Sequence, residues 1–158
     1  MGLPGSGKTY FTRHLSERLG ILYLGSDQTR KEITAMGKYS VRDKQNVYEE
    51  MRSRAEHHLA SGESVILDAT FYKEDLRLPF EMLAENKDIP LFKLWVDAPF
   101  EIIKERVSSK REDSEADFSV YEKLAADFEP PSMPYLKLIS TQDNLYSMLT
   151  EAEQYLKL

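Results

Sequence analysis

The chain has 158 residues, 41% of them hydrophobic and 30% charged, which suits one ordinary domain with a real core. Its 21 basic and 27 acidic side chains leave a net charge of −6, which argues against a broad basic face and against nucleic acid as a partner. No cysteine is present, which excludes disulfides and thiolate metal sites, and no apolar run approaches the ~18 residues of a membrane span. The start has no charged-then-apolar signal, so the expectation is a cytoplasmic enzyme with no membrane partner.

The chain opens on MGLPGSGKT, which matches G-x-x-x-x-G-K-[ST] at Gly2, Gly7, Lys8 and Thr9. Gly5 and Gly7 let the backbone curl so that its N–H groups point inward at phosphate oxygens. A helix starting near Lys8 adds its positive end. Lys8 sets a cation against the β- and γ-phosphates, and Thr9 offers a hydroxyl to Mg²⁺. Gly2, Pro4, Gly5, Ser6, Gly7, Lys8 and Thr9 are therefore the expected ATP-binding set, with Lys8 also catalytic. The alternative is a plain glycine turn ahead of a helix.

Phe11, Leu15 and Leu19 recur at helical spacing, and Gly20 ends that helix. Residues 21–24 form a short apolar run, read as a strand, which leads into Gly25-Ser26-Asp27. Asp27 and Arg30 stand one helical turn apart and can face one cavity. There Asp27 can accept the proton of an attacking hydroxyl, and Arg30 can hold the acceptor or a phosphate. The competing reading makes Asp27 a helix N-cap and Arg30 a surface charge. Residues 28–36 read as a helix, Gly37 breaks the pattern, and a second helix runs from Val41 to Ala60.

Residues 64–67 are a buried strand ending at Asp68. A carboxylate at that place suits the Mg²⁺ side of a phosphate site, with the hydroxyl of Thr70 close by; an ordinary strand-end turn is the alternative. Residues 73–86 read as a helix in which Pro79 can kink, and residues 91–96 as a strand. Asp97-Ala98-Pro99 starts the next helix, with Ile102, Ile103 and Val107 on its apolar face. Arg106, Lys110 and Arg111 then enter a polar stretch. Mobile cations there can close over a γ-phosphate, with Arg106 and Arg111 favoured, although a helix C-terminus attracts cations in any case. Ser114-x-x-Asp117 resembles a capping box for a helix to about Phe128. Residues 135–139 are the last strand and 143–156 the last helix. His14, His57 and His58 read as surface residues.

Strands alternating with helices imply a parallel sheet with helices on both faces, and ligands bind beyond the carboxyl ends of such strands. The loop, Asp27 and Asp68 all fall at that end.

The succession GLPGSGKT, LGSDQTRKEI, VILDATF, DAPFEIIKERV and DSEADFSVYEKLAADFEP resembles the small bacterial P-loop kinases with an AAA-type ATP-binding domain. More distantly it is similar to polynucleotide kinase, zeta toxin, gluconate kinase and shikimate kinase. The likeness runs to about Pro130. It implies an α/β, three-layer P-loop NTPase fold in one domain over residues 1–158. That fold has a sheet of five parallel strands and a short lid at about 108–117. It implies Lys8 and Thr9 at the phosphates and Mg²⁺, Asp27 as general base, Arg30 on the substrate, Asp68 on the metal side, and Arg106, Lys110 and Arg111 in the lid. Lys110 stands where the lid usually carries arginine, which removes a bidentate contact.

The expected activity is transfer of the γ-phosphoryl group of ATP, with Mg²⁺, to a hydroxyl of a small molecule. An NTPase switch without an acceptor, a polynucleotide 5′-hydroxyl kinase and an inactive fragment are the alternatives. The acceptor pocket is expected among residues 30–48 and 71–76. One departure concerns the fold itself. The strand that should precede the loop, central in related sheets, is missing. Its loss costs an amount comparable to the ~5–15 kcal/mol that holds a domain together. Apolar residues are therefore expected ahead of Met1 in the intact protein.

Overall fold

Glycine brackets the first helix of the computed structural model, which describes residues 1–35, 44–108, 118–132 and 134–157. Helix α1 (Lys8–Leu19) starts after Gly7 and ends at Gly20, both left-handed. Strand β1 (Leu22–Gly25) runs directly into helix α2 (Ser26–Ala35), and helix α3 (Lys44–Ala60) follows. Strand β2 (Val65–Asp68) leads to helix α4 (Glu74–Asn86), which keeps Pro79 inside it. Strand β3 (Leu94–Asp97) precedes helices α5 (Phe100–Ser108) and α6 (Phe118–Ala126). Strand β4 (Leu136–Ile139) and helix α7 (Leu145–Leu156) close the chain. The expected lid, with Lys110, Arg111 and the Ser114–Asp117 cap, lies outside the described residues, as does the expected start of α3 at Val41.

The strands pair two and two, all parallel. β1 lies on β2 in a register that sets Leu22 opposite Val65 and Gly25 opposite Asp68. β3 lies on β4, with Leu94 opposite Leu136 and Asp97 opposite Ile139. The described residues hold four strands of the five-stranded sheet that the resemblance implies, in two separate pairs. Its central strand is missing from them, as the sequence implies. Met1 and Gly2 stand between the pairs. The Met1 amine donates to the Leu94 carbonyl at 2.7 Å, and Val96 N donates to the Met1 carbonyl at 2.9 Å. Bonds to the two residues flanking Trp95 are the parallel-ladder pattern. Gly2 N reaches the other way, to the Thr70 carbonyl just beyond β2 at 3.2 Å. A two-residue segment thus couples both pairs and hangs the loop between them.

Two apolar clusters make the layers. Phe11 and Leu15 of α1 pack with Met148, Leu149 and Ala152 of α7 over Val96 and Leu138. On the other side Ile33 of α2, Val47, Tyr48 and Met51 of α3 and Phe80 of α4 pack around Ala69 and Phe71. Ile66 joins the first cluster and Leu67 the second. Successive strand residues point to opposite faces, so one buried strand serves both layers. The expected helices on both faces are thereby confirmed.

Candidate active site

The loop holds its shape because glycine occupies the positions that no side chain fits. Gly5 and Gly7 have φ of 82° and 86°, a left-handed conformation that costs an L-residue ~1–2 kcal/mol. Space is short as well. A Cβ on Gly5 would lie 2.7 Å from Val107 Cγ2, and one on Gly7 2.8 Å from Ser140 Oγ. Helix α5 and the end of β4 are thus walls of the loop. Pro4 and Ser6 are buried in it, and Lys8 and Thr9, the first residues of α1, are half-buried. The Ser6 hydroxyl is buried with no hydrogen-bond partner among the described residues.

Asp68 ends β2 at 3% exposure. Its Oδ2 accepts a hydrogen bond from the Tyr23 hydroxyl at 2.8 Å, while its Oδ1 is buried and has no partner among the described residues. A buried carboxylate oxygen without a donor is costly unless a ligand completes it. Asp68 and Lys8 both act electrostatically on the Met1 amine at the root of the loop. Burial lowers that amine from 8.0 to about 6, with Asp68 opposing the shift and Lys8 adding to it.

Asp27 does not cap α2. The helix begins at Ser26, and the Asp27 carboxylate stands in its first turn, where Arg30 Nη1 donates to Oδ1 at 3.0 Å. Both side chains are well exposed, at 47% and 38%. The structure therefore brings Asp27 and Arg30 together. Beyond β2, Phe71 has φ of 48°, an unusual conformation for a bulky residue. Tyr48 holds it: Phe71 N donates to the Tyr48 hydroxyl at 3.2 Å, and that oxygen is also 3.2 Å from Thr70 Oγ1. Burial pushes the Tyr48 hydroxyl up, and the hydrogen bond to Thr70 opposes the shift.

Arg106 projects from α5 onto the loop. Its guanidinium donates to the Gly5 carbonyl at 3.3 Å, to Ser140 Oγ at 3.1 Å and to the Thr141 carbonyl at 2.9 Å. The expectation of a mobile lid cation at this position gives way to one anchored on the loop and the end of β4. Arg111, its expected companion, lies outside the described residues.

Sequence reasoning missed two features. A cavity of about 280 Å³ opens beside Gly7, lined among others by Tyr10, Arg106, Ser140, Thr141 and Asn144. Its only sequence signal was a pair of small polar residues at the carboxyl end of the last strand. Arg77 was the second. It is 6% exposed and donates to the carbonyls of Phe71 at 2.8 Å, Glu129 at 2.9 Å and Pro130 at 3.4 Å. It fastens the turn after β2 to the proline-rich loop, and an arginine one turn into an amphipathic helix gave no hint of that. Among the described residues no helix is long and apolar enough to cross a membrane.

Known proteins share this fold. The chain superposes on the APS kinase CysC of Mycobacterium tuberculosis, solved in complex with AMPPNP and APS, with a TM-score of 0.73 and 20% identity over 100% of this chain and 95% of that one. A sugar kinase of Janibacter sp. HTCC2649 gives 0.72 and 22% identity over 99% and 91%. A gluconokinase of Sinorhizobium meliloti 1021 gives 0.70 and 20% over 99% and 89%. Among curated proteins, an uncharacterized protein of Mycobacterium tuberculosis strain H37Rv is 26% identical over 121 residues, 69% of this chain and 24% of its own length. The same figures hold for an uncharacterized protein of Mycobacterium bovis. The chain thus spans about a quarter of the length of the curated relatives it matches. The family model described as an AAA domain matches residues 1–131, from the glycine loop through β1, β2 and β3 to the proline-rich loop that Arg77 fastens. On that match the chain belongs to the AAA-domain family, and its fold is that of the small P-loop kinases.

Proposed function

We propose that this domain is an ATP- and Mg²⁺-dependent phosphotransferase acting on a hydroxyl of a small molecule. One observation carries the reading: a left-handed glycine loop leads into Lys8 and Thr9, and a buried carboxylate oxygen at the end of β2 lacks a donor among the described residues. The ligands of the structurally similar APS kinase, AMPPNP and APS, support a nucleotide and a small acceptor on this fold.

The loop of residues 2–9 binds the triphosphate through its backbone N–H groups that are not paired within the protein and through the N-terminus of α1, and Lys8 neutralises its β- and γ-oxygens. The cavity lined by Tyr10, Arg106 and Thr141 takes the nucleoside. Mg²⁺ fits the residues present: Thr9 offers its hydroxyl and Asp68 Oδ1 a lone pair for a metal-bound water. When bound, the ion supplies charge neutralisation across the β- and γ-phosphates. Arg30 orients the acceptor, and Asp27 takes the proton from its hydroxyl. The acceptor oxygen then bonds to the γ-phosphorus as the bond to the β,γ-bridging oxygen breaks, and ADP departs. Arg106 steadies the loop during transfer, and Arg111 is proposed to add charge from the lid.

Lys8→Ala is expected to abolish nucleotide binding or turnover. Asp27→Asn is expected to keep ATP binding and lose transfer, read as ADP formation across a panel of hydroxylated metabolites. Transfer that survives Asp27→Asn unchanged removes Asp27 from the role of base. ADP formation that no metabolite stimulates leaves the domain as an NTPase switch.

A further inference from the structure

We infer that Tyr23 is a positioning residue that sets the metal-side carboxylate Asp68, and that Gly25 is glycine to let it do so. The inference rests on the reading of Asp68 given under the proposed function. In the β1–β2 register Gly25 lies opposite Asp68 and Tyr23 opposite Ile66. Tyr23 and Gly25 are two residues apart on one strand, so Tyr23 shares a face with Asp68 and sits diagonal to it. The phenol must cross the Gly25 position to reach the carboxylate. A Cβ on Gly25 would collide with the Tyr23 hydroxyl and lie 2.8 Å from its Cζ. Gly25 is buried, and the open space above it is filled by the phenol. The result is a hydrogen bond of 2.8 Å to Oδ2 alone.

That bond does two things. It orients the carboxylate, and it occupies one oxygen so that Oδ1 is the one left without a donor among the described residues. Tyr23 also carries the Arg13 guanidinium 5.7 Å from its ring centroid. Arg13 belongs to α1, the helix that begins with Lys8 and Thr9. Tyr23 thus links the helix of the phosphate loop to the carboxylate on the neighbouring strand. Partners that orient a ligand's carboxylate tune metal affinity without touching the metal.

The test uses the full chain, the non-hydrolysable nucleotide β,γ-imido ATP and Mn²⁺ as the spectroscopic probe. Mn²⁺ affinity for the nucleotide-bound protein is measured by electron paramagnetic resonance, and nucleotide affinity is measured separately without metal. Asp68→Asn is expected to weaken Mn²⁺ binding about tenfold or more, and Tyr23→Phe by about threefold to tenfold, with metal-free nucleotide affinity unchanged in both. In the Asp68→Asn background, Tyr23→Phe is expected to have no further effect, because Tyr23 acts through Asp68. Gly25→Ala, which displaces the ring, is expected to weaken Mn²⁺ binding as Tyr23→Phe does. Loss on Asp68→Asn with no change on Tyr23→Phe, or equal losses from Tyr23→Phe in both backgrounds, overturns the positioning role and leaves the reading of Asp68 standing. No change on Asp68→Asn overturns that reading, and the role of Tyr23 with it.

Discussion

Arg77 shows how a single side chain holds the site's outer wall. Its charge is buried, and three backbone carbonyls from two loops receive its hydrogen bonds. Arg77→Met fills much of the volume but strands those carbonyls, and the expected loss is about 2–4 kcal/mol, read by urea denaturation. An unchanged midpoint rejects the clamp. Gly7→Ala acts at the other wall. The left-handed φ and the contacts with Ser140 and Arg106 leave a methyl no room. The variant is expected to stay folded by circular dichroism while losing at least about tenfold in ATP affinity, since a backbone shift removes phosphate donors. At this scale the sequence was informative wherever residue type alone restricts geometry. Gly5, Gly7, Lys8 and Thr9 are such positions. Tyr23 and Arg77 are not, because a tyrosine or arginine acquires its role only from what packs opposite it.

Helices and strands take their places from apolar periodicity. Phe11 and Leu15 of α1 meet α7 over β3 and β4, and Leu15 is 1% exposed. Leu15→Ala is expected to cost about 2–5 kcal/mol by thermal or chemical denaturation, and a cost under about 1 kcal/mol rules out this helix pair as the main core of its face. The four strands stand where short apolar runs predict them. Their ends differ for physical reasons. The run from residue 91 predicts a longer strand than β3, yet Leu91 and Phe92 are exposed and pairing with β4 starts at Leu94. A strand begins where a neighbour can pair, which composition does not record. Asp27 gives the opposite lesson. Its spacing to Arg30 was legible, but the direct passage from β1 into α2, which denies it the capping role, was not.

At the scale of the molecule, two strand pairs meet at two residues. The Met1 amine of the 158-residue chain is withdrawn from water, and burial lowers its pKa from 8.0 to about 6. A base whose folded pKa lies below its unfolded value is penalised when protonated. In a chain that starts at Met1, the stability linked to this amine is complete above about pH 8 and falls as pH drops toward 6, by an amount on the order of 2 kcal/mol. Joining a short β-branched segment ahead of Met1 replaces the ammonium by an amide N–H. That donor still suits the Leu94 carbonyl and extends the ladder begun beside Trp95. The extended chain is expected to melt higher and to lose the extra slope between pH 6 and 8. Equal melting temperatures with the slope intact reject this account of Met1.

The order of glycine, cation, hydroxyl and strand-end carboxylate was determined by the sequence alone, together with the α/β layering. These are local matters: a left-handed turn demands glycine, and alternating periods of apolar residues dictate which faces are buried. Only the tertiary structure decided which oxygen of Asp68 is engaged, that Arg106 is fastened to Gly5 and the end of β4, and that a cavity opens beside Gly7. It also decided that the strands form two pairs joined through Met1 and Gly2. Each of these depends on groups far apart in the chain, and their meeting is set by the packing of whole layers rather than by any residue's own preference.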